Sequence, residues 1–133
     1  MMKGIKVLLV DDEVEFTASM RKVLARRGFE VEVADDGLSA LPMMTQKRFD
    51  VVVLDIKMPG MDGISVLGEI KRLYPATQVI MLTGHYSFEG EEDPSQPGAF
   101  AHLLKPIPIM KLVDMIRDAA VHGRTSTGGG ASP

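Results

Sequence analysis

Four short apolar runs recur along the chain: "IKVLLV" (5–10), "VVVL" (51–54), "QVIML" (78–82) and "AFAHLL" (99–104). Runs that are apolar on both faces belong in the middle of a parallel sheet covered by helices on both sides. "FEVEVA" (29–34) alternates more strongly and reads as a strand nearer an edge. Between these runs the apolar residues take helical spacing. Phe16, Met20, Val23 and Leu24 share one face of a helix over about residues 14–27, with Gly28 as its stop. Ile64, Leu67, Ile70 and Leu73 line a helix that begins after Asp62 and ends before Pro75, and Leu112, Val113, Ile116 and Ala120 line a last one. A weaker helix is expected over 37–47, where Pro42 removes one backbone hydrogen bond and should kink it. Strand and helix repeated five times imply a doubly wound α/β domain with right-handed crossovers.

Two stretches depart from this rhythm. Residues 89–98, "EGEEDPSQPG", fall where a fourth helix is due, yet carry helix breakers and no apolar face. At most one turn of helix is expected near Ser87–Glu92, followed by loop. The tail "HGRTSTGGGASP" (122–133) is Gly/Ser-rich and is expected to be disordered, as a linker or a remnant, which places the domain at 1–121.

The 133 residues are enough for one domain with a real core. The net charge of -3 gives no reason to expect nucleic-acid binding by bulk charge. With no cysteine, disulfides, thiolate catalysis and cysteine-ligated zinc are excluded, and a reducing cytoplasm fits. Neither a signal peptide nor an apolar stretch long enough to cross a bilayer is visible.

In a parallel sheet the carboxyl ends of all strands open on one edge, where functional groups gather near the switch in strand order. The first strand ends in Asp11-Asp12-Glu13, the third in Asp55, the fourth in Thr83-Gly84 and the fifth in Lys105-Pro106. With strand order 2-1-3-4-5 these ends are neighbours, and carboxylates, a hydroxyl and an ammonium converge. Clustered carboxylates repel, and one would take up a proton unless a cation compensates. Oxygen-only ligands with room for water suit magnesium, which commonly bridges to phosphate. A carboxylate beside such a metal can accept a phosphoryl group, given in-line geometry and charge neutralisation.

The blocks "VLLVDDE" (7–13), "VVVLDIKMPGMDG" (51–63), "MLTGH" (81–85) and "GAFAHLLKP" (98–106) appear in order, each at a strand end. Together they resemble the receiver domain of bacterial two-component response regulators, over about Ile5 to Ala120. The resemblance implies a flavodoxin-like fold with a five-stranded parallel sheet and helices on both faces, the fourth helix here short or disordered. It implies that Asp55 is the phosphoacceptor, supplied by a histidine kinase or phosphotransfer protein. Asp11, Asp12 and Asp55 would hold magnesium, with the backbone carbonyl of Lys57 as a further ligand. Thr83 would be the switch hydroxyl and Lys105 the partner of the phosphoryl oxygens. A cis peptide is expected at Lys105-Pro106. His102 occupies the position of the family's inward-rotating aromatic, and Lys57 and His85 occupy positions that influence phosphate lifetime. The domain would act as a switch, catalysing only its own acylation and slow hydrolysis. A downstream effector protein or domain and a second copy of the chain are the further partners implied, without nucleic acid or membrane. The alternative is a receiver-fold interaction module whose switch is degraded at 89–98.

Taken singly, each of these residues has a plainer role. Asp55 could cap a strand, Asp11-Asp12 could favour a helix N-terminus, Thr83 could serve a turn, and Lys105 could be solvated. Other phosphate chemistries fit less well. A haloacid-dehalogenase-type phosphatase wants a second Asp where Lys57 stands. "GISVLGE" (63–69) lacks the Lys-Ser/Thr of a phosphate loop and the spacing of a hydrolase elbow. No G-x-G-x-x-G follows the first strand, and His85, His102 and His122 lack metal-ligand spacing.

Overall fold

A strand buried on both faces needs a helical layer on each side, and this is what the chain builds. The computed structural model describes residues 4–58, 61–83 and 98–130. The elements run β1 (Lys6–Val10), α1 (Val14–Arg26), β2 (Glu30–Ala34), α2 (Gly37–Gln46), β3 (Val51–Asp55), β4 (Lys57–Met58), β5 (Met61–Asp62), α3 (Gly63–Leu73), β6 (Gln78–Thr83), β7 (Ala101–Leu104) and α4 (Ile109–Gly130). Five strands form a parallel sheet in the order β2-β1-β3-β6-β7. This is the expected 2-1-3-4-5 order once the short antiparallel β4–β5 hairpin, which was not anticipated, is set aside.

Alternate residues of each central strand feed two separate cores. Val7, Leu9, Val51, Val53, Ile80 and Leu82 pack against Met20 and Leu24 of α1 and Leu112, Val113, Ile116 and Ala120 of α4. Leu8, Val10, Val52, Leu54, Val79 and Met81 pack against Ala40 and Met44 of α2 and Val66, Leu67 and Ile70 of α3. Strands β3 and β6 are buried along their whole length, whereas the edge strands β2 and β7 are only partly covered. Truncating any of the central leucines removes contacts on a closed face, at a cost of about 2–5 kcal/mol.

Local chemistry sets the helix ends. Gly28 follows α1 at φ +94, a conformation that L side chains rarely adopt. Asp36 caps α2, accepting the Ser39 N–H at 2.8 Å. The helix then continues through Pro42, whose carbonyl accepts the Thr45 hydroxyl at 2.7 Å. On α3 the buried stripe is Gly63, Val66, Leu67 and Ile70. The expected face is corrected here, because Ile64 and Leu73 are exposed. Steps of three residues turn about 300°, so a stripe drawn from 64 to 73 drifts half-way round the helix.

Disorder was expected from His122, but α4 continues to Gly130. The His122 ring lies 5.4 Å from that of Phe100. Gly123 passes so close to the sheet that a Cβ would lie 2.8 Å from the Ala76 carbonyl oxygen. Arg124 donates to both oxygens of Asp50, at 3.1 and 2.9 Å, while the Lys6 N–H also reaches Asp50 at 2.9 Å. The proposed fourth helix falls within 84–97, outside the described residues.

Two predictions follow from these contacts. Arg124→Ala should cost about 1 kcal/mol, since the pair is only partly shielded from solvent, and ending the chain after Val121 should cost more; urea denaturation checks both. Burial would raise the Asp50 pKa, but the Arg124 and Lys6 hydrogen bonds and the charges of Arg124 and Arg48 outweigh it and hold it below 3.8. The stability from Asp50 is therefore present above 3.8 and is lost as pH falls through its lower folded value. Arg124→Ala should remove most of that acid dependence.

Gly63 sits against the backbone of the turn that follows β3. Its N–H donates to the Ile56 carbonyl at 3.0 Å. A Cβ there would lie 2.6 Å from the Asp55 carbonyl oxygen and 2.7 Å from Ile56 Cα. Backbone atoms cannot swing aside, so Gly63→Ala should cost about 1–3 kcal/mol and displace residues 55–56. Denaturation and amide shifts confined to that turn would register it.

Candidate functional site

The hydrophobic slab between the helix layers has no room for an uncompensated charge, so polar groups collect where the strands end. Strand β3 delivers Asp55 to this edge, with Asp55 in register with Leu82 and the next amide, Ile56 N–H, bonded to the Leu82 carbonyl at 2.8 Å. Strand β1 delivers Asp11, whose N–H reaches the Ala34 carbonyl at 3.2 Å. Strand β6 ends at the buried Thr83, whose carbonyl accepts the Lys105 N–H at 2.8 Å. Lys105 follows β7 directly and precedes Pro106 through the expected cis peptide.

One oxygen of each of Asp11, Asp12 and Asp55 lies within 4.8 Å of the others. Asp11 and Asp55 are buried, and Asp12 is exposed. Both oxygens of Asp11 are engaged. Oδ1 accepts the Glu13 N–H at 2.9 Å, at the start of α1, and Oδ2 accepts the Lys105 ammonium at 2.7 Å. Asp11 thus serves the helix N-terminus and the cluster together.

Lys105 is the cation of this edge. Its Nζ lies 2.7 Å from Asp11, 2.7 Å from Glu13 and 4.0 Å from Asp55. It also sits 4.5 Å above the centre of the Phe16 ring. Burial pulls its pKa down, but the hydrogen bonds to Asp11 and Glu13 and the charges of Asp11 and Asp55 outweigh burial and raise it. The ammonium is charged at any physiological pH. Its contribution to stability is complete below 10.5 and is lost only as pH rises through its higher folded value.

The structure therefore brings together Asp11, Asp12, Asp55 and Lys105, with Thr83 on the neighbouring strand end. Glu13, Phe16 and Gly63 join them, although the sequence pointed to no specific part for any of the three at this site. Glu13 could have been found by counting charge, because its acidic triplet faces one strand-end lysine. His102 is half-buried on β7, in register with Met81 of the α2–α3 core. Lys57 opens the β4–β5 hairpin opposite Asp62. His85 lies outside the described residues, as does nearly all of the 89–98 segment on which the degraded-switch alternative rests.

The chemistry of this donor set is narrow. All three metal-capable groups are carboxylates, two fixed by burial and one open to water. That suits a hard cation that retains part of its water shell. No helix among the described residues is long and apolar enough to cross a membrane.

Comparison with known proteins agrees with this arrangement. Residues 7–117 match the response regulator receiver domain model. The chain is 36% identical over 114 residues to sporulation initiation phosphotransferase F of Bacillus subtilis, covering 86% of this chain and 89% of that protein. It is 34% identical over 122 residues to the DNA-binding transcriptional regulator NtrC of Escherichia coli, covering 92% of this chain and 26% of that one. The corresponding share of the transcriptional regulatory protein ZraR of Klebsiella oxytoca is 28%, so the chain spans about a quarter of such relatives. A CheY-like receiver domain protein from Methanospirillum hungatei superimposes with a TM-score of 0.84 at 28% identity, over 95% of this chain and 99% of that one. Response regulator TrrA of Thermotoga maritima, in complex with Mg2+ and BeF, gives 0.77 at 30% identity, over 89% and 99%. With the strand order, the acidic cluster and the strand-end lysine in place, the chain belongs to the receiver domains of two-component response regulators, which are regulatory phosphoacceptors.

Proposed function

We propose that Asp55 is the residue that accepts the phosphoryl group, and that a histidine kinase or phosphotransfer protein supplies it. The observation that carries this assignment is the placement of Asp55 at the buried end of β3, with an oxygen within 4.8 Å of Asp11 and Asp12 and Lys105 4.0 Å away. An Asp55 carboxylate oxygen attacks phosphorus in line and forms the new P–O bond. The P–N bond to the donor imidazole breaks, and the imidazole keeps that electron pair and takes up a proton. A rigid, buried strand holds the nucleophile still, which lowers the entropic part of the barrier.

Asp11, Asp12 and Asp55, with the Lys57 carbonyl, would hold magnesium. Bound there, the ion supplies positive charge to the phosphoryl oxygens. Lys105 supplies a second positive charge and Thr83 a hydroxyl donor. A phosphoryl group on Asp55 adds about one negative charge at this edge. Thr83 and Lys105 close on it, and the strand pair β6–β7 that carries them, with His102, moves to a second state that a downstream effector protein or domain reads. Self-catalysed acylation and slow hydrolysis are the only chemistry this requires. The Mg2+–BeF complex of the Thermotoga maritima relative supports the magnesium assignment.

Acetyl phosphate with magnesium should label the wild-type chain and leave Asp55→Asn unlabelled, as read by acid-labile phosphate and intact mass. Label retained by Asp55→Asn would refute the assignment. Thr83→Ala should still take label while losing most of the spectral change at residues 101–104.

A further inference from the structure

We infer that Glu13 is a positioning residue for Lys105, a releasable restraint that holds the ammonium back from Asp55 until a phosphoryl group arrives. The inference rests on the phosphoacceptor reading above and deepens it. Lys105 Nζ is 2.7 Å from both Asp11 and Glu13 but 4.0 Å from Asp55. To pair with a phosphoryl oxygen on Asp55 it must leave one of the nearer carboxylates. The two differ sharply in how readily they let go. The Asp11 side chain is 2% exposed and its other oxygen is tied to the Glu13 N–H at 2.9 Å. Withdrawing the ammonium would leave that carboxylate buried, at high cost. The Glu13 side chain is 59% exposed and makes no capping hydrogen bond to α1, so water can solvate it the moment Lys105 departs.

Glu13 thus contributes to the resting state and nothing to the phosphorylated one. Such an interaction weakens binding of the anion it competes with, because only differences between two states shift an equilibrium. The plainer account of Glu13 is favourable charge at the start of α1. That account predicts lower stability on neutralisation and no change in affinity for an anion at Asp55.

The test uses the full chain as wild type, Glu13→Gln and Glu13→Ala. Beryllofluoride is titrated at saturating magnesium and followed by amide spectra, magnesium alone is titrated by calorimetry, and the Lys105 ε-methylene signals are recorded without metal. Glu13→Ala should bind beryllofluoride about 1.5- to 5-fold more tightly, the range expected for losing one partly exposed ion pair. Glu13→Gln, which keeps an oxygen acceptor, should fall between it and wild type. Magnesium alone should bind no more tightly in either variant, and the metal-free Lys105 signals should show greater mobility. Unchanged or weaker beryllofluoride binding by the variants, with a wild type that binds it normally, overturns the restraint and leaves the Asp55 assignment standing. A wild type that neither binds beryllofluoride nor takes label at Asp55 overturns both.

Discussion

Burial of the central strands on both faces is the constraint from which the rest of this domain follows. Strands β1, β3 and β6 present apolar side chains to α1 and α4 on one side and to α2 and α3 on the other. Such a slab offers no solvent to a charged group along its length, so the sequence can place charge only where strands begin or end. Parallel pairing of the five strands brings their carboxyl ends to one edge. A site assembled from residues 11, 55, 83 and 105, distant in sequence, is therefore a consequence of topology. No long-range loop has to find its place for the cluster to form.

Within that edge, charge balance decides what the cluster can do. Asp11 and Asp55 are buried carboxylates, Asp12 and Glu13 add further negative charge, and Lys105 is their shared cation. Among the described side chains, one ammonium does not neutralise four carboxylates. A divalent cation would cancel two of the three residual negative charges, and the same imbalance favours the charged form of Lys105. The excess of negative charge suits a divalent cation and opposes an anion that arrives without one.

Much of this was legible because period and position carry it. The two-sided apolar runs announced a covered parallel sheet, and the acids, hydroxyl and lysine stood at consecutive strand ends. What the sequence hid depended on tertiary contact. Ile64 and Leu73 have the right chemistry for a core, but the helical angle carries them to the rim of α3. The Gly/Ser-rich composition after Val121 argued for disorder, yet His122 meets Phe100, Gly123 fits against Ala76 and Arg124 finds Asp50. Propensity is a weak prior, and contacts with the opposite end of the sheet override it. Gly63 looked like one glycine among 13, and only the approach of the Asp55 carbonyl makes it distinctive. Glu13 stood in the strand-end triplet, but its pairing with Lys105 was hidden because the two lie 92 positions apart.

Strand β3 shows most clearly why geometry was needed. Its four apolar residues lie between two carboxylates, Asp50 and Asp55, and within "DVVVLD" only the direction of the strand tells one from the other. Asp50 is closed by a two-pronged contact with Arg124 and by the Lys6 amide, which holds its pKa low and commits it to structure. Asp55 faces a cation that is bound more closely to two other carboxylates and stands beside further acidic oxygens. Both are anions at the rim of the same apolar strand. The difference lies in their surroundings: Asp50 pairs with Arg124 and fastens the last helix to the sheet, whereas Asp55 stands in a cluster of carboxylates that share the Lys105 ammonium.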